Sequence, residues 1–248
     1  MEQAAILLAA GSGSRMRGIV EDKLLAKIAG KPVFQYSAEA FARAKNIEKV
    51  VVVYRDDEQK AALNHVFSQM DVLPYQVLWT RGGSERQDSV FNGLEAMTLS
   101  TDMVCIHDCA RPMVSPAQIN DLYNAALKDK AAVLAHRVVD TIKQTPARSR
   151  GRRRIPLKDV QRNRLWAMET PQAFKYDLIF EAYREVRLNG NTITDDTAAV
   201  ALKGARVTIV ENPHPNIKVT VPQDLQLIEF LLNNPIETEP LSDQESDE

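Results

Sequence analysis

The chain has 248 residues, 44% hydrophobic and 26% charged, with a formal net charge of −2. That length buries a sizeable core as one large domain or two small ones, and the composition is that of an ordinary soluble globular protein. No run approaches 18 apolar residues and no basic segment precedes an apolar stretch at the N-terminus, which argues against a membrane span and a secretory signal. The two cysteines, Cys105 and Cys109, lie too close together for a disulfide framework and suit a reducing cytoplasm.

The charge is unevenly placed. Glu237, Glu239, Asp243, Glu245, Asp247 and Glu248 crowd the end with no Lys or Arg among them, so the body before them is net positive. The sequence therefore divides into a domain over 1–234, suited to anionic substrates, and an acidic, solvated tail over 235–248, expected to be disordered.

In chain order, the apolar run Ala4 to Ala9 predicts a buried strand. Pro32 to Ala44 has helical spacing, Glu48 to Tyr54 is strand-like, Asp57 to Met70 helical and Tyr75 to Trp79 a strand. Asp88 to Met97 places Val90, Leu94 and Met97 on one helical face, and Met103 to His107 is a strand. Ser115-Pro116-Ala117-Gln118 has capping-box spacing with proline first, opening a helix through Leu127. Ala131 to His136 is a strand, Asp177 to Leu188 a helix and Arg206 to Val210 a strand, and Thr220, Pro222 and Gln223 start a last helix through Leu232. This alternation implies an α/β fold with a mostly parallel sheet. Arg137 to Arg164 breaks it: no helical period is present, and Ala147 to Arg154 is rich in arginine. Without interleaved aromatics it does not point to nucleic acid, and it reads as an extended hairpin, or arm, or as a solvated loop.

The chemistry begins at the first strand's end. Ala9-Ala10-Gly11-Ser12-Gly13-Ser14-Arg15-Met16 is a loop with almost no side-chain bulk, and Lys23 follows shortly after. Such a loop turns backbone N–H groups toward a polyphosphate, and Arg15 and Lys23 add full charge. The dinucleotide fingerprint is not met, since Met16 holds its third glycine position, and no P-loop string occurs. Four clusters follow. Arg81 to Val90 contains Gly82, Gly83 and Ser89 directly before a helix, where Ser89 either caps the helix or bonds a base edge. His107-Asp108-Cys109-Ala110-Arg111-Pro112 lies just past a strand, where Asp108 suits Mg²⁺ and Arg111 a phosphate or an ion pair. Reading Cys105, His107, Asp108 and Cys109 as zinc ligands is disfavoured, because alternate strand residues face opposite sides. The third cluster joins Asp140 to Lys143, Gln161 to Trp166 and Glu169 to Gln172; the fourth joins Thr194-Asp195-Asp196 to Asn216 through Thr220, with Lys218 in an otherwise apolar strand.

In this order the strings LLAAGSGSRM, DKLL, GGSERQDSV, HDCARP, DTIK, RLWAMETPQAF, TDD and NIKVT resemble the 2-C-methyl-D-erythritol 4-phosphate cytidylyltransferases, from about Ala4 to Leu232. The resemblance implies a single doubly wound, mostly parallel but mixed sheet with helices on both faces, Rossmann-like, carrying a projecting dimerisation arm at about 137–164. It implies an Mg²⁺-dependent transfer of a cytidylyl group from CTP to methylerythritol phosphate, with pyrophosphate released. Ala9, Ala10, Gly11, Gly83 and Ser89 match positions around the cytosine and ribose. Arg15 and Lys23 match cations that stabilise the transition state. Arg162 and Lys218 match those that position the acceptor, with Arg111, Thr141, Thr170 and Thr194 as further acceptor-side residues and Asp108 as the carboxylate near the metal. Thr141 and Arg162 match an arm that enters the partner's site in a homodimer. Neither nucleic acid nor membrane is implied as a partner. Four departures are visible: Cys109 stands where alanine is usual, Asp196 where glutamate is common, Pro215 where a polar or acidic residue is often found, and Arg148 to Arg154 is far more basic than a typical arm. The alternatives are the same chemistry on another polyol phosphate, such as ribitol 5-phosphate, or a nucleotide-binding module without turnover.

Overall fold

A computed structural model describes residues 1–11, 13, 16, 21–70, 73–97, 100–147 and 154–235. Arg15, the stretch 148–153 and the tail beyond 235 lie outside the described residues. In chain order, β1 (Glu2–Leu8) is followed by a two-stranded ribbon, β2 (Lys27–Ile28) and β3 (Lys31–Pro32), and then by α1 (Val33–Arg43). Next come β4 (Ile47–Tyr54), α2 (Asp57–Ser68), β5 (Gln76–Arg81), α3 (Arg86–Glu95), β6 (Thr101–Asp108), α4 (Pro116–Asp129) and β7 (Ala131–Arg137). A second ribbon, β8 (Lys143–Gln144) and β9 (Lys158–Asp159), precedes β10 (Trp166–Lys175), α5 (Tyr176–Leu188), α6 (Asp196–Leu202), β11 (Thr208–Glu211) and α7 (Pro222–Asn233).

Seven strands form the central sheet in the order β11-β7-β10-β6-β1-β4-β5. All its pairings are parallel except those of β10, which runs antiparallel to both β6 and β7. Strands covered on both faces need apolar residues at every position, which explains the unbroken runs in β1 and β4. In β1, Ala5 and Leu7 face a core shared with Phe34 and Phe41 of α1, Leu63 of α2, Tyr123 of α4 and Ile228 of α7. Ala4 and Ile6 face the opposite core, with Val90 and Leu94 of α3, Ile179 and Tyr183 of α5 and Val200 of α6. The capping box at α4 forms as its spacing predicts: Gln118 N donates to Ser115 Oγ at 3.2 Å, and Ser115 N donates to Gln118 Oε1 at 2.9 Å.

Sequence periodicity gives no strand at 166–175, because Glu169, Thr170, Pro171 and Gln172 interrupt the apolar pattern. The pairing of β10 with β7 jumps from Met168 to Gln172, so the proline falls where the ladder is interrupted and no N–H is required. The buried polar side chains of that stretch are hydrogen-bonded. In the irregular segment after β7, the described residues include a short exposed antiparallel pairing of Lys143 with Asp159 and Gln144 with Lys158.

Candidate active site

A cavity of about 430 Å³ opens at the carboxyl ends of β1 and β6, where the strand order reverses on either side of β1. Open α/β sheets hold ligands at this position, because loops there diverge and leave a crevice. Leu8, Ala9, Ala10 and Gly11 form one wall, Gly83, Ser84, Glu85, Arg86 and Ser89 another, and Lys23, Arg55, Asp108 and Lys218 supply charge. The glycine wall is set by packing. A Cβ on Gly82 would sit 2.5 Å from the Ala10 Cβ, and one on Gly83 would sit 2.2 Å from the Asp88 Cβ. Ser89 Oγ accepts from Gly83 N at 3.1 Å and donates to Glu85 O at 3.2 Å, so it holds the glycine turn while bordering the cavity.

The first loop is tied to the lysine that follows it. Gln59 Nε2 donates to Ala9 O at 3.1 Å and to Asp22 Oδ2 at 2.7 Å. Asp22 also accepts from Leu24 N at 2.9 Å and from Arg55 Nη1 at 3.1 Å. Lys23 leaves this braced turn and donates from Nζ to Val219 O at 3.3 Å, next to Lys218.

Asp108 is the buried carboxylate of the cavity. Its Oδ1 accepts from Arg86 Nε at 3.1 Å and its Oδ2 from Lys218 Nζ at 2.5 Å. Burial alone would raise this carboxyl's pKa, but the Arg86 and Lys218 charges hold it well below the usual carboxylate range. Arg86 also forks onto Asp196, donating from Nη1 at 2.9 Å and from Nη2 at 2.8 Å. Asp196 is fully buried and accepts from Tyr183 Oη at 2.5 Å. Burial disfavours the Arg86 cation, yet the two carboxylates push its pKa above the ordinary arginine value.

Behind Asp108 lies a neutral histidine. Burial drives the pKa of His107 down to about 3. Its Nε2 lies 3.2 Å from Arg111 O, a pure acceptor, which assigns the proton to Nε2. Nδ1 then accepts from Thr170 Oγ1 at 3.4 Å, and that oxygen accepts from Asp108 N at 3.0 Å. The loop's shape thus depends on an uncharged imidazole. Between pH 6.5 and about 3 the unfolded chain carries a proton on His107 that the folded chain refuses, so folding stability falls as pH drops through that window. The depressed Asp108 adds its own loss only below its ordinary value of 3.8. Urea unfolding between pH 7 and 4 should show this slope, and His107→Gln should flatten it; equal slopes in both proteins would refute the role.

A family model for 2-C-methyl-D-erythritol 4-phosphate cytidylyltransferase matches residues 3–234. The chain belongs to this family. A curated member from Pelotomaculum thermopropionicum is 38% identical, covering 92% of this chain and 93% of that one. The chloroplastic member of Oryza sativa subsp. japonica is 35% identical, over 93% of this chain and 74% of its own length. Among solved structures, the 4-diphosphocytidyl-2C-methyl-D-erythritol synthase of Anaerococcus prevotii matches with a TM-score of 0.80 at 25% identity, covering 94% of this chain and 96% of that one. The cytidylyltransferase of Thermus thermophilus matches with a TM-score of 0.71 at 27% identity, over 92% and 98%.

Of the residues matched to the family from sequence, Ala9, Ala10, Gly11, Lys23, Gly83, Ser89, Asp108 and Lys218 all line the one cavity. Arg15 lies outside the described residues. Thr170 does not line the cavity; its buried hydroxyl braces Asp108 and His107 instead. Arg111 is also set back: Nη1 donates to Asn216 O at 2.6 Å, and Nε is buried with no partner among the described residues. Thr194 is exposed just before α6, and Thr141 and Arg162 are exposed on the ribbon segment, Arg162 Nη1 donating to Val139 O at 2.6 Å. Within one chain, these three do not reach the cavity. Arg86 and Arg55 line it and were not singled out from sequence. The available signal for Arg86 was its place at the first turn of a helix entered from a glycine turn.

Proposed function

We propose that this chain transfers a cytidylyl group from CTP to 2-C-methyl-D-erythritol 4-phosphate, in non-mevalonate isoprenoid biosynthesis. Family membership over residues 3–234 names the reaction. The observation in the fold that carries it is one cavity in which a bulk-free backbone wall meets Lys23, Asp108 and Lys218. Such a site binds a base and a polyphosphate while keeping cations beside the reacting phosphorus.

The chemistry is an in-line displacement. A phosphate oxygen of the acceptor bonds to the α-phosphorus of CTP, the bond from that phosphorus to the bridging β-phosphate oxygen breaks, and pyrophosphate leaves with the electron pair. No covalent enzyme intermediate is needed, so the chain contributes positioning and charge neutralisation. Ala9, Ala10, Gly11, Gly83 and Ser89 seat the nucleoside; Lys23, with Arg15, stabilises charge on the pentacovalent phosphorus; Lys218 orients the acceptor phosphate.

Among the described residues no three His, Cys, Asp or Glu side chains gather as a metal cage. Mg²⁺ commonly needs only one or two carboxylates together with substrate phosphates, and a carboxylate offers about four lone-pair sites, so Asp108 fits an ion carried in by the triphosphate even while it accepts from Arg86 and Lys218. Bound there, Mg²⁺ would neutralise and orient the phosphates.

We further read the protein as a C2 homodimer in the cytoplasm. Val139, Ile142, Leu157 and Met168 are exposed apolar residues on and beside the ribbon segment, which suits a surface covered by a second copy. Cys105 and Cys109 are free, buried thiols, compatible with a reducing compartment, and no helix among the described residues is long and apolar enough to cross a membrane.

Pyrophosphate release from CTP tests the reading, with methylerythritol phosphate, ribitol 5-phosphate and no acceptor as parallel arms. Turnover is expected in the first arm, and release restricted to ribitol 5-phosphate would replace the acceptor. In the same assay CTP is expected to exceed UTP, because backbone groups lining the wall distinguish cytosine's amine and ring acceptor. Equal or better turnover with ATP or GTP would overturn the base assignment.

A further inference from the structure

Asp108 has two cations of different character. Arg86 is immobilised: its fork meets both oxygens of fully buried Asp196, which Tyr183 holds in turn, and its Nε takes Asp108 Oδ1. Lys218 is the opposite case. Its side chain is 38% exposed, and a flexible stem brings its Nζ to Asp108 Oδ2. The four groups form a chain of alternating charge, Asp196, Arg86, Asp108, Lys218, running from the buried start of α6 to the cavity wall. A buried carboxylate stripped of its last cation is strongly disfavoured, whereas one that keeps a hydrogen-bonded cation is not.

We propose that Arg86, clamped by Asp196, is a positioning residue that serves as the permanent counter-ion of Asp108 and thereby frees Lys218 to leave that carboxylate for the acceptor phosphate. Without Arg86, Lys218 would be the one cation hydrogen-bonded to Asp108 among the described residues, and the carboxylate would retain it until a substrate-borne ion arrived. The site would still hold CTP, since the glycine wall and Lys23 do not depend on this chain of charges. The cost would fall on acceptor use. The fork geometry is essential to the role, because a lysine in place of Arg86 could not meet Asp196 with two parallel bonds and Asp108 with a third.

The inference rests on the proposed role of Lys218 at the acceptor phosphate, so wild-type enzyme is first assayed with CTP and each acceptor; lack of turnover there fails that reading and not this one. With the acceptor the wild type uses, Arg86→Gln is expected to lower kcat/KM for the acceptor about 30-fold or more while the KM for CTP changes less than about threefold. The deciding comparison is Arg86→Gln on an Asp108→Asn background. If Lys218 is trapped by an unneutralised carboxylate, removing that charge removes the trap, and the KM for the acceptor, raised in Arg86→Gln, returns in the double variant to that of Asp108→Asn alone, a recovery that loss of Mg²⁺ at Asp108, which lowers kcat, does not produce. A full additional loss in the double variant would mean that Arg86 contacts substrate or only supports the fold, and would overturn the proposal. Should Arg86→Gln fail to fold, Arg86→Lys replaces it. An approximately tenfold loss with the same non-additivity supports the role, and wild-type acceptor kinetics in Arg86→Lys overturns it.

Discussion

Replacing Lys23 by alanine lowers kcat by about 10²-fold or more while leaving the KM for CTP within a few-fold, because its charge is needed most as the pentacovalent phosphorus develops. The surroundings of this lysine support that expectation. It emerges from a turn braced by Asp22, Gln59 and Arg55 against the end of β1, and its ammonium reaches Val219 O in the segment between β11 and α7 that carries Lys218, which forms no strand despite its apolar pattern. A preorganised cation costs no reorganisation when charge appears, so its removal is felt in the transition state more than in the ground state. Arg15→Ala is expected to behave in the same way. Steady-state kinetics with both substrates varied separates the cases: a raised KM for CTP at near-normal kcat would assign Lys23 to ground-state binding alone. Asp22→Asn should give a weaker version of the Lys23 phenotype, since it loosens the brace without removing the cation.

Mixing two nearly inactive chains restores activity. Arg162→Ala removes the arginine matched to the acceptor phosphate, and Lys23→Ala removes the cation proposed to act at the reacting phosphorus. Arg162 and Thr141 are exposed on the ribbon segment and do not border the cavity of their own chain. If both act on a substrate, they need another route to it, and the proposed second subunit would supply one. If the segment enters the neighbouring site, a mixed dimer carries one site with both defects and one with none, so a fraction of wild-type activity returns. If Arg162 acts within its own chain, every site in the mixed dimer carries one defect and nothing returns. Each variant alone is expected to fall by about 10²-fold or more, Arg162→Ala mainly through the acceptor, since charge-assisted bonds to a phosphate are lost. Exchange is followed independently by differently tagged subunits, and complete exchange without recovery would rule out a shared site.

Local pattern carried much of the framework. The apolar runs of β1, β4 and β6, the helical spacing of α1, α2 and α5 and the capping box of α4 all depend on residues within a few positions of one another, and all appear where the periodicity puts them. The opening loop and the glycine pair were legible for the same reason, since small residues at a strand's end mark backbone that a ligand or another loop must approach closely. The sequence by itself therefore determined the α/β alternation, two edges of the cavity and, through the resemblance of its ordered motifs, the family. What it left open involves distant partners. Strand β10 has no clean period, because Glu169, Thr170 and Gln172 are buried only by virtue of bonds to Asn216, Asp108 and Asp195. Thr170 looks like a substrate contact until the fold turns its hydroxyl onto the Asp108 amide. Arg86 looks like a charged residue at a helix start until Asp108, 22 positions away, and Asp196, 110 positions away, close around it. Periodicity reports which side of an element is buried, but it carries no information about which polar group waits on that side. Only the packing of α3, β6 and α6 on one sheet decided that these charges pair, because a buried ion pair exists only where tertiary structure brings both partners out of water together.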